Sequence, residues 1–98
     1  MNTQENINES LNGLSVAELR DRARTLEPVL RIGKNGLTEG VVDEIKKQLK
    51  QNRLIKIKLL RPFLEGKDKK LIGEELAERT GTILVQRVGF VVVLFKRK

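Results

Sequence analysis

Apolar positions along this chain recur at two different periods, and each change of period marks a new element. Val16, Leu19, Ala23 and Leu26 fall at helical spacing. Ser15-Val16-Ala17-Glu18 introduces them as a capping box, with Ser15 at the N-cap and Glu18 three residues on, so a first helix is predicted from Ser15 to Leu26. Pro28 closes it, because the residue before a proline is driven toward extended backbone. Val29, Leu30 and Ile32 then read as a short strand. A second helix is predicted to open at Thr38, with Val41, Val42, Ile45 and Leu49 as its apolar stripe. Its acids Glu39, Asp43 and Glu44 come early and its cations Lys46, Lys47 and Lys50 late, the order the helix dipole favours.

From Arg53 to Leu60 the period drops to two. Ile55, Ile57 and Leu59 share one face of a strand, and Lys56 and Lys58 share the other. Pro62 and Gly66 predict a loop from Arg61 to Lys67. A third helix follows from Asp68 as N-cap, with Leu71, Ile72, Leu76 and Ala77 inward and Gly81 as its stop. Two strands, Thr82 to Arg87 and Phe90 to Phe95, are expected to join through a tight turn at Val88-Gly89. The last of these is apolar on both faces and should lie inside the sheet or be covered on both sides. The order is αβαβαββ: a single α/β domain with a four-stranded mixed sheet packed with three helices. Strands joined by helices should run parallel, and the terminal hairpin should add an antiparallel pair. Residues 1–13 are rich in Asn, Gln, Glu and Ser and are expected to form a flexible leader, with 14–98 as the domain proper.

Composition narrows the chemistry. The chain has 98 residues, with 20 Lys and Arg against 13 Asp and Glu, a formal charge of +7. Glu5 and Glu9 are the only charged side chains before Ser15, so the basic excess belongs to the folded part. A folded basic domain reads as a polyanion binder. With no cysteine and no histidine, the chain lacks a thiol nucleophile and the commonest general base and soft-metal ligands. The only serines are Ser10 and Ser15, and there is no Walker motif. Glu44-Ile45-Lys46 resembles a nuclease fragment but sits in a helical pattern, and Glu74, Glu75 and Glu78 read as a solvated helix face. No enzyme activity, cofactor or metal is expected. No apolar run approaches the ~20 residues of a membrane span, and Met1 to Asn12 lacks the regions of a signal peptide. The expectation is a cytoplasmic monomer with no membrane partner.

Gly33-Lys34-Asn35-Gly36 is the most informative run. Two glycines three apart let another chain's backbone approach, Lys34 adds charge at the tip, and the helix that follows offers unpaired amides. The same pattern also describes an ordinary strand-to-helix turn, with Leu37 as a hydrophobic staple. Arg31 just before the loop and the Lys56/Lys58 face favour the binding reading, so Gly33, Lys34, Asn35, Gly36, Arg31, Lys56 and Lys58 are the candidate nucleic-acid contacts. Two further basic groups are Lys46-Lys47-Lys50-Arg53 and Lys96-Arg97-Lys98. Trp and Tyr are absent, and of the three phenylalanines Phe63 is the candidate for base stacking or for burial, with Phe95 assigned to the core. Recognition should therefore rest on backbone, shape and phosphates. A DNA-binding architectural protein, or a module docking on ribosomal proteins through a surface near Phe63 and Phe90, are the alternatives.

The ordered combination of Gly33-Lys34-Asn35-Gly36-Leu37-Thr38, Leu54-Ile55-Lys56-Ile57-Lys58, Ile72-Gly73-Glu74-Glu75-Leu76-Ala77 and the closing Thr80-Gly81, Val85-Gln86, Val88-Gly89 and Val93-Leu94-Phe95 resembles the CRM domain family (chloroplast RNA splicing and ribosome maturation). The resemblance covers about residues 13 to 98 and is closest to the small stand-alone prokaryotic members. It implies an RNA-binding domain similar in fold to the carboxy-terminal domain of a bacterial translation initiation factor, with a KH-like GxxG loop matching Gly33 to Gly36. It further implies association with precursors of large-subunit ribosomal RNA in bacterial members and with group II introns in plant ones. Phe90, where many members carry a polar or basic residue, and Phe95, where tyrosine is common, are departures.

Overall fold

The computed structural model describes residues 13–97, so the leader expected over residues 1–13 falls almost wholly outside the described residues, as does Lys98. The elements are α1 (Val16–Ala23), β1 (Pro28–Ile32), α2 (Glu39–Gln51), β2 (Leu54–Leu59), α3 (Arg61–Leu64), α4 (Lys69–Thr80), β3 (Ile83–Val88) and β4 (Val91–Phe95). The sheet order is β1-β2-β4-β3. β1 and β2 are parallel, whereas β4 is antiparallel to both β2 and β3. The two-faced apolar run at the end of the chain is thus an interior strand, as its composition requires: Val92 to Phe95 are all buried.

The local signals work largely as read. Ser15 Oγ accepts from the Glu18 amide at 3.2 Å and Glu18 Oε1 accepts from the Ser15 amide at 3.2 Å, completing the capping box. Thr38 caps α2 through the Val41 amide, and Asp68 caps α4 through the Lys70 amide. Gly81, at φ 67°, ends α4 in the left-handed conformation and returns its amide to Ala77 and Glu78.

Four expectations need correction. The first helix stops at Ala23, because Arg24 and Leu26 donate to Asp21 and Ala23 in a tightening final turn ahead of Pro28. The Arg61–Lys67 segment is a loop only in its second half: Pro62, in the first turn where its missing amide is harmless, starts the short helix α3. The hairpin turn lies one residue later than predicted, at Gly89-Phe90, because Val88 pairs with Val91. Gly89 takes φ 56° at the first turn position, where a type II′ hairpin places glycine. Leu71 points away from the core and is 60% exposed.

Two apolar clusters lie on the two faces of the sheet. Ile45 and Leu49 of α2, Phe63 and Leu64 of α3 and Ile72, Leu76 and Ala77 of α4 cover one face, meeting Ile55, Ile57, Leu59, Val92 and Leu94. On the other face α1 lays Leu19 and Ala23 on Leu54, Val85, Val93 and Phe95. Arg20 Nε ties α1 to the Val85 carbonyl at 3.1 Å. An eight-residue helix is too short to cover that face. The end of the sheet farthest from Leu54 and Phe95 stays open there, and the candidate site occupies it.

Candidate functional site

The glycine run is a tight turn. The Gly36 amide donates to the Gly33 carbonyl at 3.0 Å, which puts Lys34 and Asn35 at the two corners, both exposed. Their amides have no intramolecular acceptor among the described residues. Successive amides left unbonded in a turn can form an anion-binding concavity. Gly36 takes φ 72°, and a β-carbon there would meet the Phe63 ring at 3.6 Å. A β-carbon on Gly33 would stand 3.5 Å from Leu60 Cδ1. Both glycines thus turn their would-be side chains toward the protein. Their contribution is to let the turn lie on Leu60 and Phe63 with the Lys34 and Asn35 amides left without an acceptor among the described residues.

Leu37 and Thr38 stand between the loop and α2. Leu37 packs into the core, its carbonyl accepting from Arg79 Nη1 at 3.0 Å, and Thr38 takes the Val41 amide. One of the helix-start amides expected to be available is therefore used internally, and the turn's own amides are the better-placed donors.

Charge gathers around this end of the sheet. Arg31 and Lys58 occupy directly paired positions on parallel strands β1 and β2, and both are exposed. Neither they nor Lys34 make an ion pair with any carboxylate among the described residues. Like charges placed side by side across strands are destabilising. Lys56 lies further back, half-buried beside Ala23, Gln86 and Val93 at the edge of α1. The structure therefore brings Lys34, Arg31 and Lys58 to one end and leaves Lys56 at the border of the covered zone.

The other basic groups converge elsewhere. Lys46, Lys47, Lys50 and Lys96 line one hollow with Thr80 and Gly81. Arg53 Nε donates to the Lys96 carbonyl at 2.9 Å. Since Leu54 pairs with Phe95 and Ile32 with Leu59, this second group sits at the opposite end of the sheet from the glycine loop. Sequence reading treated its halves as separate; the β2–β4 pairing is what joins them.

Phe63 is 3% exposed and buried beneath the loop, so of its two readings burial is the one realised. Phe90 takes the exposed aromatic position instead, because the shifted turn lifts it off the strand. In the nuclease-like fragment Ile45 is fully buried and Glu44 accepts from Gln48 Nε2 at 3.1 Å, an ordinary helical arrangement. Glu74, Glu75 and Glu78 are exposed, with Glu75 paired to Arg79 at 3.7 Å. Among the described residues no group of three His, Cys, Asp or Glu is arranged to hold a metal ion, and no helix is long and apolar enough to cross a membrane.

Comparison with known proteins agrees with this architecture. The solution structure of a Staphylococcus aureus protein superimposes with a TM-score of 0.72 at 32% identity, covering 85% of this chain and 84% of that one. A probable RNA-binding protein of Methanocaldococcus jannaschii is 41% identical over 86 residues, 88% of this chain; the match spans 63% of that protein, just under two thirds of its length. A probable RNA-binding protein of Bacillus subtilis is 33% identical over 88% of both chains. The CRS1 / YhbY (CRM) domain matches residues 11–96, and the chain belongs to that family.

Proposed function

We propose that this chain is a non-enzymatic RNA-binding protein of the cytoplasm that holds structured RNA, specifically ribosomal RNA precursor, and assists assembly of the large ribosomal subunit. Membership of the CRM family and relatives named as probable RNA-binding proteins support RNA as the partner. One observation carries the location of the grip: Arg31 and Lys58 are paired across strands, beside the Lys34 turn, with no carboxylate among the described residues to neutralise them. Such a grouping works against folding, and a phosphate backbone is the ligand that relieves it.

In this reading the Lys34 and Asn35 amides and the Lys34 ammonium take one phosphate. Arg31 and Lys58 take the next along the open sheet face, with Lys56 at its margin. Gly33 and Gly36 keep the turn low enough for the sugar–phosphate chain to pass over it. Contacts of this kind position RNA without reading its bases.

Crosslinking the protein to RNA in cells and sequencing the attached fragments tests the proposal. Enrichment of large-subunit precursor sequences is the expected result, and a profile without them removes the ribosomal assignment. Competition between a structured RNA and duplex DNA at physiological salt provides the second check, because tighter DNA binding would identify an architectural DNA-binding protein instead.

A further inference from the structure

Phe90 and α3 form a second feature at the loop end of the sheet. Phe90 is 36% exposed at the hairpin turn, and its carbonyl accepts from the Leu59 amide at 2.6 Å, fixing the turn to the end of β2. Lys69 Nζ lies 4.3 Å and Arg61 Cζ 5.9 Å from the ring centroid. A cleft opens beside the ring, lined by Arg61, Pro62, Leu64, Glu65 and Phe90. We propose that this cleft receives a single unpaired nucleobase, stacked on Phe90 and capped by the Arg61 guanidinium, from the same RNA whose backbone the glycine loop holds. The inference rests on the RNA-binding reading above and adds a base-recognition site to it.

Geometry and charge point to a base. A flat ring sandwiched at van der Waals distance on both sides needs roughly 7–8 Å between its neighbours. Arg61 is exposed, and its present 5.9 Å separation requires a swing of an ångström or two. Aromatic faces and guanidinium planes are the usual platforms for unstacked bases. Lys69 and Arg61 lie over the ring; of the two only Arg61 lines the cleft, and among the described residues Glu65 is the one carboxylate in that lining. It is an acceptor suited to the N–H edge of a base and unsuited to phosphate. Continuity with the loop is direct, since Phe63 of α3 underlies Gly36 while Arg61 and Pro62 of the same short helix line the cleft. Four helical residues span only about 6 Å, so one strand of RNA can reach both places.

The test uses the full chain and a stem–loop RNA whose loop carries one 2-aminopurine, a base whose fluorescence is quenched on stacking. The wild type should quench it. Phe90→Leu, which keeps apolar bulk but removes the ring, should abolish the quench and weaken binding about tenfold at every salt concentration, leaving the salt slope unchanged. Arg61→Ala should reduce both quench and slope. Combined replacement of Arg31, Lys34 and Lys58 by alanine should lower the slope. If only that triple variant loses affinity while Phe90→Leu binds and quenches like the wild type, the base site is refuted and the backbone grip stands. If the triple variant binds normally, the grip itself is refuted. Normal RNA binding by Phe90→Leu with loss of a co-purifying protein also overturns the base site, assigning the cleft to a protein partner. Thermal unfolding of each variant guards against misfolding.

Discussion

Gly36 turns its side-chain position toward Phe63, so that a β-carbon there would meet the ring at Cδ1 and Cε1, 3.6 Å away. That contact joins the exposed turn to the core, because Phe63 is itself buried among the residues of the helical face. It also separates the two glycines of the turn. Gly36 is held at φ 72°, where an L side chain is strained, while Gly33 adopts no such conformation and would place a β-carbon at ordinary distance from Leu60.

Substitution should therefore discriminate between them. Gly36→Ala should destabilise the fold by about 1–2 kcal/mol through the left-handed backbone alone. For a domain of this size each kcal/mol corresponds to a fall in Tm of about 4–8 °C. Gly36→Asn should lose less, since asparagine tolerates that region. Gly33→Ala should unfold close to the wild type. Equal losses at both positions, measured by thermal denaturation, would show that the turn is not built as described. A side chain at position 36 is thus a poor probe of binding, because it perturbs folding as well.

Removing charge probes binding without that complication. Lys34→Ala, Arg31→Ala and Lys58→Ala should each reduce the slope of log affinity against log salt by roughly 0.7–0.9, one phosphate contact apiece. None should lower stability, and loss of either Arg31 or Lys58 should raise it slightly by relieving a like-charge pair. Lys56→Ala should move the slope less, since that side chain is half-covered at the edge of α1. RNA titrations from 50 to 200 mM salt, with Tm recorded alongside, read out both quantities. An unchanged slope for all four variants would take the phosphate track away from this end of the sheet.

Much of this arrangement was legible in the sequence because it depends on local signals. The capping box at Ser15, the caps at Thr38 and Asp68, the left-handed stop at Gly81 and the period of β2 each act within a few residues. What escaped depends on partners distant along the chain. Leu71 lies opposite the buried positions Ile72, Gly73, Leu76, Ala77 and Thr80, an inward face that packs Gly73 against Leu84 on β3. The burial of Phe63 follows in part from the turn lying over it, with Gly36 lying 27 residues earlier. The register of β3 against β4 shifts between Leu84 and Gln86, moving the hairpin turn and exposing Phe90. The meeting of Lys46, Lys47 and Lys50 with Lys96 needed the sheet order before it could be seen.

The capping box has a consequence confined to one element. At eight residues α1 is too short to be helical alone and depends on its cap and on Leu19 and Ala23. Ser15→Ala should destabilise it by about 1 kcal/mol. Amide exchange should accelerate within α1 more than in β2, whose amides open only with the whole domain. Uniform acceleration across α1 and β2 would mean that the helix and the sheet open together.

Gly73 and Leu84 set the distance between α4 and the sheet. A β-carbon on Gly73 would stand 3.2 Å from Leu84 Cδ2 and 3.4 Å from Cδ1, closer than packed carbons normally approach, and Arg87 Cδ follows at 3.7 Å. Here the glycine is needed for space, since its φ is not positive. Gly73→Val forces α4 away from β3 or drives Leu84 off its rotamer and should cost about 1–3 kcal/mol, the usual penalty of overpacking. Leu84→Ala alone should also destabilise, by leaving a gap in the helical-face core. Combined, the two changes should destabilise less than their sum, because the shortened side chain vacates the space that valine fills. A double-mutant cycle by urea denaturation measures that coupling, expected at 0.5 kcal/mol or more in the compensating direction. Strict additivity would show that α4 meets the sheet through other residues and that Gly73 is incidental to the packing.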